Sequence, residues 1–271
     1  MKRTLTALVL GISLLVASVG NGYAQDFQKG WEAYDKGDLA TSLREWRPLA
    51  EEGNAEAQYL VGLMYDEGQG VTQDYKEAVK WWRKAADQGN ADAQTNLGGM
   101  YVNGNGVTQD YKEAVKWWRK SAEQGHSKAQ SNLGVMYAKG DGVTQDYKEA
   151  VKWYRKAADQ GNADAQFNLG LMYANGQGVT QDYKEAVKWY RKSAEQGHSS
   201  AQLNLGVMNG KGQGVLQDNV YAHMWFNIAA SNGNANAKKG RDIVAKTMTA
   251  TDISKAQALA RECMKKNYKG C

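Results

Sequence analysis

Two cysteines, Cys263 and Cys271, stand near the C-terminal end with seven residues between them, and there is no third thiol. Such a pair makes a disulfide or half of a metal site. The three histidines, His126, His198 and His223, lie too far away in sequence to complete a metal motif. Loops of the form Gly104-x-Gly106 suggest a phosphate cradle, but they follow a helical pattern rather than a strand, and no lysine and hydroxyl pair comes after them. Trp81, Trp117, Trp153, Trp189 and Trp225 recur beside Trp82, Trp118, Tyr154, Tyr190 and Phe226, which is the raw material for a sugar-stacking ladder. Helical spacing puts the second row at the centre of an apolar face and the first on its flank, so core packing within and between units is the expected role. Acyl transfer by a serine would need Ser-x-x-Lys, Ser-Asp-Asn and Lys-Thr-Gly elements, and none occurs. Carboxylates are plentiful but recur at equivalent positions instead of converging as one pair. No catalytic residue, cofactor or metal is therefore expected.

The N-terminus bears on the cysteines. Met1, Lys2 and Arg3 precede an apolar stretch from Leu5 to Val19 and small residues at Gly22 and Ala24, the pattern of a secretory signal peptide over residues 1–24 cut after Ala24. The apolar stretch is shorter than the roughly 20 residues of a spanning helix. Export to a periplasm or the cell exterior makes a Cys263–Cys271 disulfide the expected pairing. Removing the leader takes two of 34 basic residues and none of 29 acidic ones, leaving a net charge of +3. A charge so small gives no argument for a nucleic-acid partner.

The chain is organised by repetition. The segment Gly-Val-Thr-Gln-Asp-Tyr-Lys-Glu-Ala-Val-Lys-Trp starts at Gly70, Gly106, Gly142 and Gly178, with a diverged copy from Gly214 to Trp225. The period of 36 residues divides 54–233 into units 54–89, 90–125, 126–161, 162–197 and 198–233. Alternate units share junctions such as Glu123-Gln124-Gly125-His126 and Glu195-Gln196-Gly197-His198, as a duplicated 72-residue pair would.

Each unit holds two helical patterns around a glycine loop. Asp74 with Glu77 three residues on has the form of a capping box, and Tyr75, Ala78, Val79, Trp82, Ala85 and Ala86 then fall on one face. Gly89 suits a left-handed C-terminal cap and Asn90 opens the next helix, so very short turns enforce antiparallel packing. The first helix carries Ala93, Leu97, Gly98, Met100 and Tyr101. Gly98 marks a place where a neighbouring helix approaches closely. His126 and His198 take the cap position of Asn54, Asn90 and Asn162. Lys76, Lys80, Arg83 and Lys84 form a basic stripe expected to face solvent.

Ala93-Gln94, Leu97-Gly98, Met100-Tyr101, Gly104-x-Gly106-Val107, Asp110-Tyr111, Ala114, Trp117-Trp118 and Ala122 resemble the Sel-1-like repeat, a relative of the tetratricopeptide repeat. The resemblance holds in all five units. It implies an all-α solenoid, a right-handed superhelix of antiparallel helix pairs, acting mainly as an adaptor for protein complexes, in some exported bacterial members for signalling, envelope maintenance or host contact. Upstream, Tyr34, Gly37, Asp38, Leu43, Trp46, Ala50 and Gly53 fit the same frame with a shorter loop, so 25–53 reads as a tetratricopeptide-like capping unit. Residues 234–271 read as a helical cap, with Thr249 and Asp252 starting a last helix through about Lys266. Some cysteine-rich relatives are described as weak β-lactamases. A weak β-lactamase or an enzyme binding cell-wall fragments is thus the alternative, and the paired cysteines of those relatives are missing here.

Near-copies reveal where they differ. The variation concentrates on the first helix at Tyr59, Thr95, Ser131, Phe167 and Leu203, then at Leu63, Gly99, Val135, Leu171 and Val207, then at Asp66, Val102, Ala138, Ala174 and Gly210. Spacings of four and three place these on one stripe. Packing that repeats should demand repeated residues, so the stripe is expected to be surface. By the frame of Leu97, Gly98 and Tyr101 it matches the concave groove of tetratricopeptide arrays, and a protein or peptide partner is expected there, anchored on Tyr59 and Phe167.

Overall fold

A computed structural model describes residues 20–271, with side chains from Asp26 onward. The leader expected over residues 1–24 falls mostly outside the described residues. Those described form fourteen helices and no strand. They divide into two compact units, one ending at Ala93 and including Asn105–Val107, the other made of Gln94–Gly104 and Thr108–Cys271.

The first unit contains α1 (Gly20–Asp35), α2 (Leu39–Glu51), α3 (Ala55–Glu67) and α4 (Tyr75–Asp87). Asp38 caps α2, its carboxylate accepting from the Thr41 amide at 3.1 Å. Trp46, buried at the centre, donates its indole N–H to the Phe27 carbonyl at 3.1 Å and lies over Gly30. Leu49, Leu60, Val61, Met64 and Trp81 complete that core.

In the second unit, α5 (Ala91–Asn103, from Gln94 on) is followed by α6 (Tyr111–Glu123), α7 (Ser127–Lys139), α8 (Tyr147–Asp159), α9 (Ala163–Asn175), α10 (Tyr183–Ala194), α11 (Ser199–Lys211), α12 (Asn219–Ser231), α13 (Ala235–Ala245) and α14 (Ala250–Lys265). Odd-numbered helices α5 to α11 open each repeat and even-numbered ones close it. Asp146 starts α8 by accepting from the amides of Lys148 at 2.8 Å and Glu149 at 3.1 Å, and Asp110 and Asp182 do the same for α6 and α10. The expected capping box is not formed at these sites. Glu149 does not reach back to the cap but pairs with Lys152 at 3.1 Å, one turn further on, because Asp-x-x-Glu-x-x-Lys offers the glutamate a cation as well. A reciprocal box does form at α14, where Thr249 and Asp252 accept from each other's amides.

The helical glycines make room for rings. A Cβ at Gly134 would lie 2.6 Å from Tyr154, at Gly170 2.6 Å from Tyr190 and at Gly206 2.6 Å from Phe226. The close approach expected at Gly98 is thus to the Trp118 indole, not to a helix backbone. The loop glycines act differently: Gly142, at φ +71°, sits against the carbonyl of Tyr111 at the start of the previous repeat's second helix, where a Cβ would come within 2.4 Å.

Trp153 is buried against Ala114, Val115 and Trp118 of the preceding repeat, and Trp189 against the cluster of α8 and α9, which leaves no ladder of rings open for sugars. The basic stripe faces solvent as expected, Lys76, Lys80, Arg83 and Lys84 all being exposed, and its last lysines also lie beside rings. Lys120, Lys156 and Lys192 lie 4.3, 4.6 and 4.1 Å from the ring centroids of Trp117, Trp153 and Trp189.

One core position breaks the repeat. His223 on α12 stands where Val79, Val115, Val151 and Val187 stand, is buried, and leaves Nδ1 without a hydrogen-bond partner. Burial, reinforced by Arg241 and opposed by Asp242, holds its pKa below the ordinary 6.5. The unfolded chain therefore protonates this histidine first as pH falls, so stability declines below about pH 7 and levels off below the folded-state pKa. Replacing His223 by Val should raise stability by about 1–3 kcal/mol at neutral pH by removing the unpaired polar group. It should also flatten the slope between neutral and mildly acidic pH, read from denaturant midpoints of the two proteins across that range.

Candidate functional site

The varied stripe of the opening helices is divided by the structure into two kinds of position. At its N-terminal end Thr95 and Ser131 are buried, only 3% and 5% exposed. The Thr95 hydroxyl lies 2.8 Å from the Ser121 hydroxyl and 3.2 Å from Nδ1 of His126. Phe167 is half-buried, stacked on His198 with centroids 4.7 Å apart and tilted against Tyr190 at 5.9 Å. These residues vary because the junction they meet varies: a serine and a histidine accompany Thr95 and Phe167, while Ala157 and Asn162 follow Ser131. Variation at the top of the stripe is therefore packing variation, and Thr95 and Ser131 are corrected from partner-facing to interior. Both histidines serve as the expected caps, with Nδ1 accepting from the Ala129 amide at 3.4 Å and the Ala201 amide at 3.2 Å.

Further along the helices the stripe reaches solvent. Val102, Val135, Ala138, Leu171, Ala174 and Val207 are half-buried apolar residues on α5, α7, α9 and α11, and Leu203, level with Thr95 at the N-terminal end of α11, is half-buried too. Gly99 opens the row, since a Cβ there would meet nothing within 4 Å, whereas one at Gly210 would touch Ala222. In the first unit Tyr59, Leu63 and Asp66 are half-buried on α3. Burial, with Glu67 nearby, raises the Asp66 carboxyl above its usual range. Glu56 on the same helix is raised by burial and by Asp92, while Asn90 donates to it at 3.2 Å.

Nothing in this geometry prepares a nucleophile. Burial pushes the Tyr154 phenol far up and the Tyr190 phenol up to about 12, so both stay neutral core residues. Among the described residues no three His, Cys, Asp or Glu side chains gather as metal ligands, and no helix is long and apolar enough to cross a membrane.

A glutamine ladder escaped the sequence reading. Gln130 donates to the Ala122 carbonyl at 3.0 Å and accepts from Gln160 at 2.8 Å. Gln166 with Gln196, and Gln202 with Asn232, repeat the arrangement. Each rung ties a repeat's opening helix both to the end of the previous closing helix and to the C-terminal end of its own closing helix. The available signal was a polar residue kept in all five units at a helix position between buried alanine and leucine.

The Sel1 repeat model matches residues 55–90, 91–126, 127–162, 163–198 and 199–234. The chain belongs to the Sel1 repeat family. Among solved structures, a Sel1 repeat protein from Oxalobacter formigenes is 39% identical, with 80% of this chain and 86% of that chain covered and a TM-score of 0.75. The protein c5321, a protective antigen of uropathogenic Escherichia coli with an SLR fold, is 30% identical over 91% of this chain and 70% of that chain, with a TM-score of 0.45. Cysteine rich protein B of Helicobacter pylori is 25% identical over 48% of this chain and 92% of its own, with a TM-score of 0.39. No protein of curated function matches the chain. Sel1 repeat proteins generally mediate protein–protein interaction on a scaffold that is not enzymatic. The disulfide expected on sequence grounds is present, Cys263 being bonded to Cys271.

Proposed function

We propose that this Sel1 repeat protein is an exported, non-catalytic adaptor, periplasmic or secreted, that holds an extended or helical segment of another protein against its opening helices in envelope signalling or host contact. The observation that supports this most is the row Val135, Leu171 and Val207, half-exposed apolar residues at one position of consecutive repeats. Closing helices turn lysines outward, but two of the three on each of α6, α8 and α10 are held by a Glu or a Trp neighbour, which favours the opening helices as the better surface. Tyr59 and Leu63 offer the same chemistry on α3. Phe167 is a poor test position, because truncating it would also unstack His198. Affinity capture of a partner from envelope extracts, followed by Leu171→Asp and Val135→Asp, tests the reading. Each substitution should weaken binding by roughly 1–3 kcal/mol with the helical circular-dichroism signal unchanged. Undiminished binding by the double variant, or turnover of a β-lactam or cell-wall fragment by the purified protein, overturns it.

A further inference from the structure

The C-terminal cap differs from the repeats in charge balance, since residues 54–233 carry 19 basic and 19 acidic residues. Residues 234–271 contain nine basic residues against three acidic ones, Asp242, Asp252 and Glu262, a net +6 that exceeds the +5 of the whole chain. In the repeats Lys116 and Lys152 pair with glutamates at 3.1 Å, and Lys120, Lys156 and Lys192 lie over indole rings. In the cap Arg241 pairs with Asp242 at 3.0 Å and Lys266 with Glu262 at 3.2 Å. Lys238, Lys239, Lys246, Lys255, Arg261 and Lys265 form no ion pair among the described residues, and all six are exposed. Both α13 and α14 pack on α12, so their outward faces belong to the terminal surface of the second unit.

Two aliphatic side chains protrude at that end, Leu216 at 91% exposure and Ile243 at 65%. Leu216 occupies the loop position held by Thr72, Thr108, Thr144 and Thr180, so a large apolar side chain replaces threonine only in the repeat beside the cap. A hydrogen bond of 3.1 Å from Asn219 Nδ2 to Thr247 Oγ1 fastens the start of α12, just after Leu216, to the chain just after α13, which carries Ile243.

We propose that this end of the second unit docks on an anionic lipid bilayer, with the unpaired lysines and arginine among the headgroups and Leu216 and Ile243 in the acyl boundary. Clustered Lys and Arg on a helix are drawn to anionic lipid by roughly fivefold per residue, and stable attachment takes a second, apolar signal beside the charge. A polyanion without an apolar layer, such as nucleic acid, would engage the charge and gain nothing from the two aliphatics. The proposal does not depend on the partner reading above, since Leu216 and the α14 charges lie off the stripe of the opening helices.

Co-sedimentation of the full chain with vesicles of phosphatidylcholine, with and without phosphatidylglycerol, tests it at low and high salt. Binding should require phosphatidylglycerol and fall at least tenfold as the screening length shrinks from about 10 Å to about 3 Å. The exposed triple variant Lys255→Gln, Arg261→Gln, Lys265→Gln should lose on the order of 100-fold in partition. Leu216→Ser should lose several-fold, and both variants should keep the wild-type circular dichroism. Neither change touches residues 1–24, so binding that ignores both belongs to the N-terminal segment and overturns the proposal. It is equally overturned by no binding, by equal binding to phosphatidylcholine alone, by charge-dependent self-association without vesicles, or by binding to double-stranded DNA as tight as to vesicles with Leu216→Ser silent in both.

Discussion

Gly134→Leu is expected to cost about 3 kcal/mol or more, and to cost it locally. A Cβ at position 134 would sit 2.6 Å from two carbons of the Tyr154 ring, well inside the roughly 3.5–4 Å of carbon contact. The ring cannot yield easily. It is buried among Ala150, Val151, Ala157 and Leu169, so displacing it disturbs the contact between α8 and α9 as well as that between α7 and α8. Gly99→Ala is the control on the opening helix of the preceding repeat, because its Cβ would meet nothing and alanine is favoured over glycine in a helix by about 0.5–1 kcal/mol. Shrinking the ring in the same molecule, Gly134→Leu with Tyr154→Ala, should recover part of the loss. Hydrogen exchange should show protection falling most from α7 to α10, since stability in a repeat array is a sum over neighbours. Uniform loss across every repeat would show one cooperative core, and an unaffected Gly134→Leu would show that the ring is not fixed where it lies.

The same pair of residues marks the limit of what the sequence discloses. A glycine inside a helix at a spacing of 36 is readable as a close approach, because glycine there carries a conformational cost that repeated use must offset. What approaches is not readable, since Gly134 and Tyr154 stand twenty positions apart and only the folded pair shows that a ring takes the space. Asp146 was legible as a cap from type and position. Glu149 was not, because the same letters serve a capping box and a pair with Lys152, and geometry chooses. The stripe was half legible: its solvent-facing rows Val135 and Leu171 follow from helical spacing, but Thr95 varies in concert with Ser121 of its own repeat and His126 of the next, contacts that spacing cannot see. Net charge concealed the cap, because a total of +5 does not say where the charge sits, and residues 1–233 are nearly balanced with 25 basic and 26 acidic residues. The family follows from motifs present five times, whereas the partner leaves no such trace.

Removing the disulfide by Cys263→Ala with Cys271→Ala should destabilise the C-terminal end by about 2–3 kcal/mol, the chain-entropy value for closing a loop of this length. Cys263 is buried on the inner face of α14 beside Ala260, and its partner returns the tail toward α12. Between them Asn267 and Tyr268 take φ of +50° and +67°, a region that costs a non-glycine residue roughly 1–2 kcal/mol. The loop is held there by what Tyr268 does. Its ring lies over the Gly197 turn, 3.4 Å from where a Cβ would stand, and its hydroxyl donates to the Asn232 side chain at 2.9 Å. Asn232 in turn donates to Gln202, so the tail closes the last rung of the glutamine ladder. Without the bond, the tail is expected to leave this strained conformation and uncover that rung. Hydrogen exchange should then rise in α14 and at the facing ends of α11 and α12, with α7 and α8 unchanged. Tyr268→Phe keeps the bond and the ring but loses the hydroxyl, and should cost about 1 kcal/mol. Mass measurement of protein from its native compartment, with and without reductant, decides whether the bond forms in the cell. Two free thiols there, or a double alanine variant as stable as the parent, would show that packing of α14 on α12 holds the end without it.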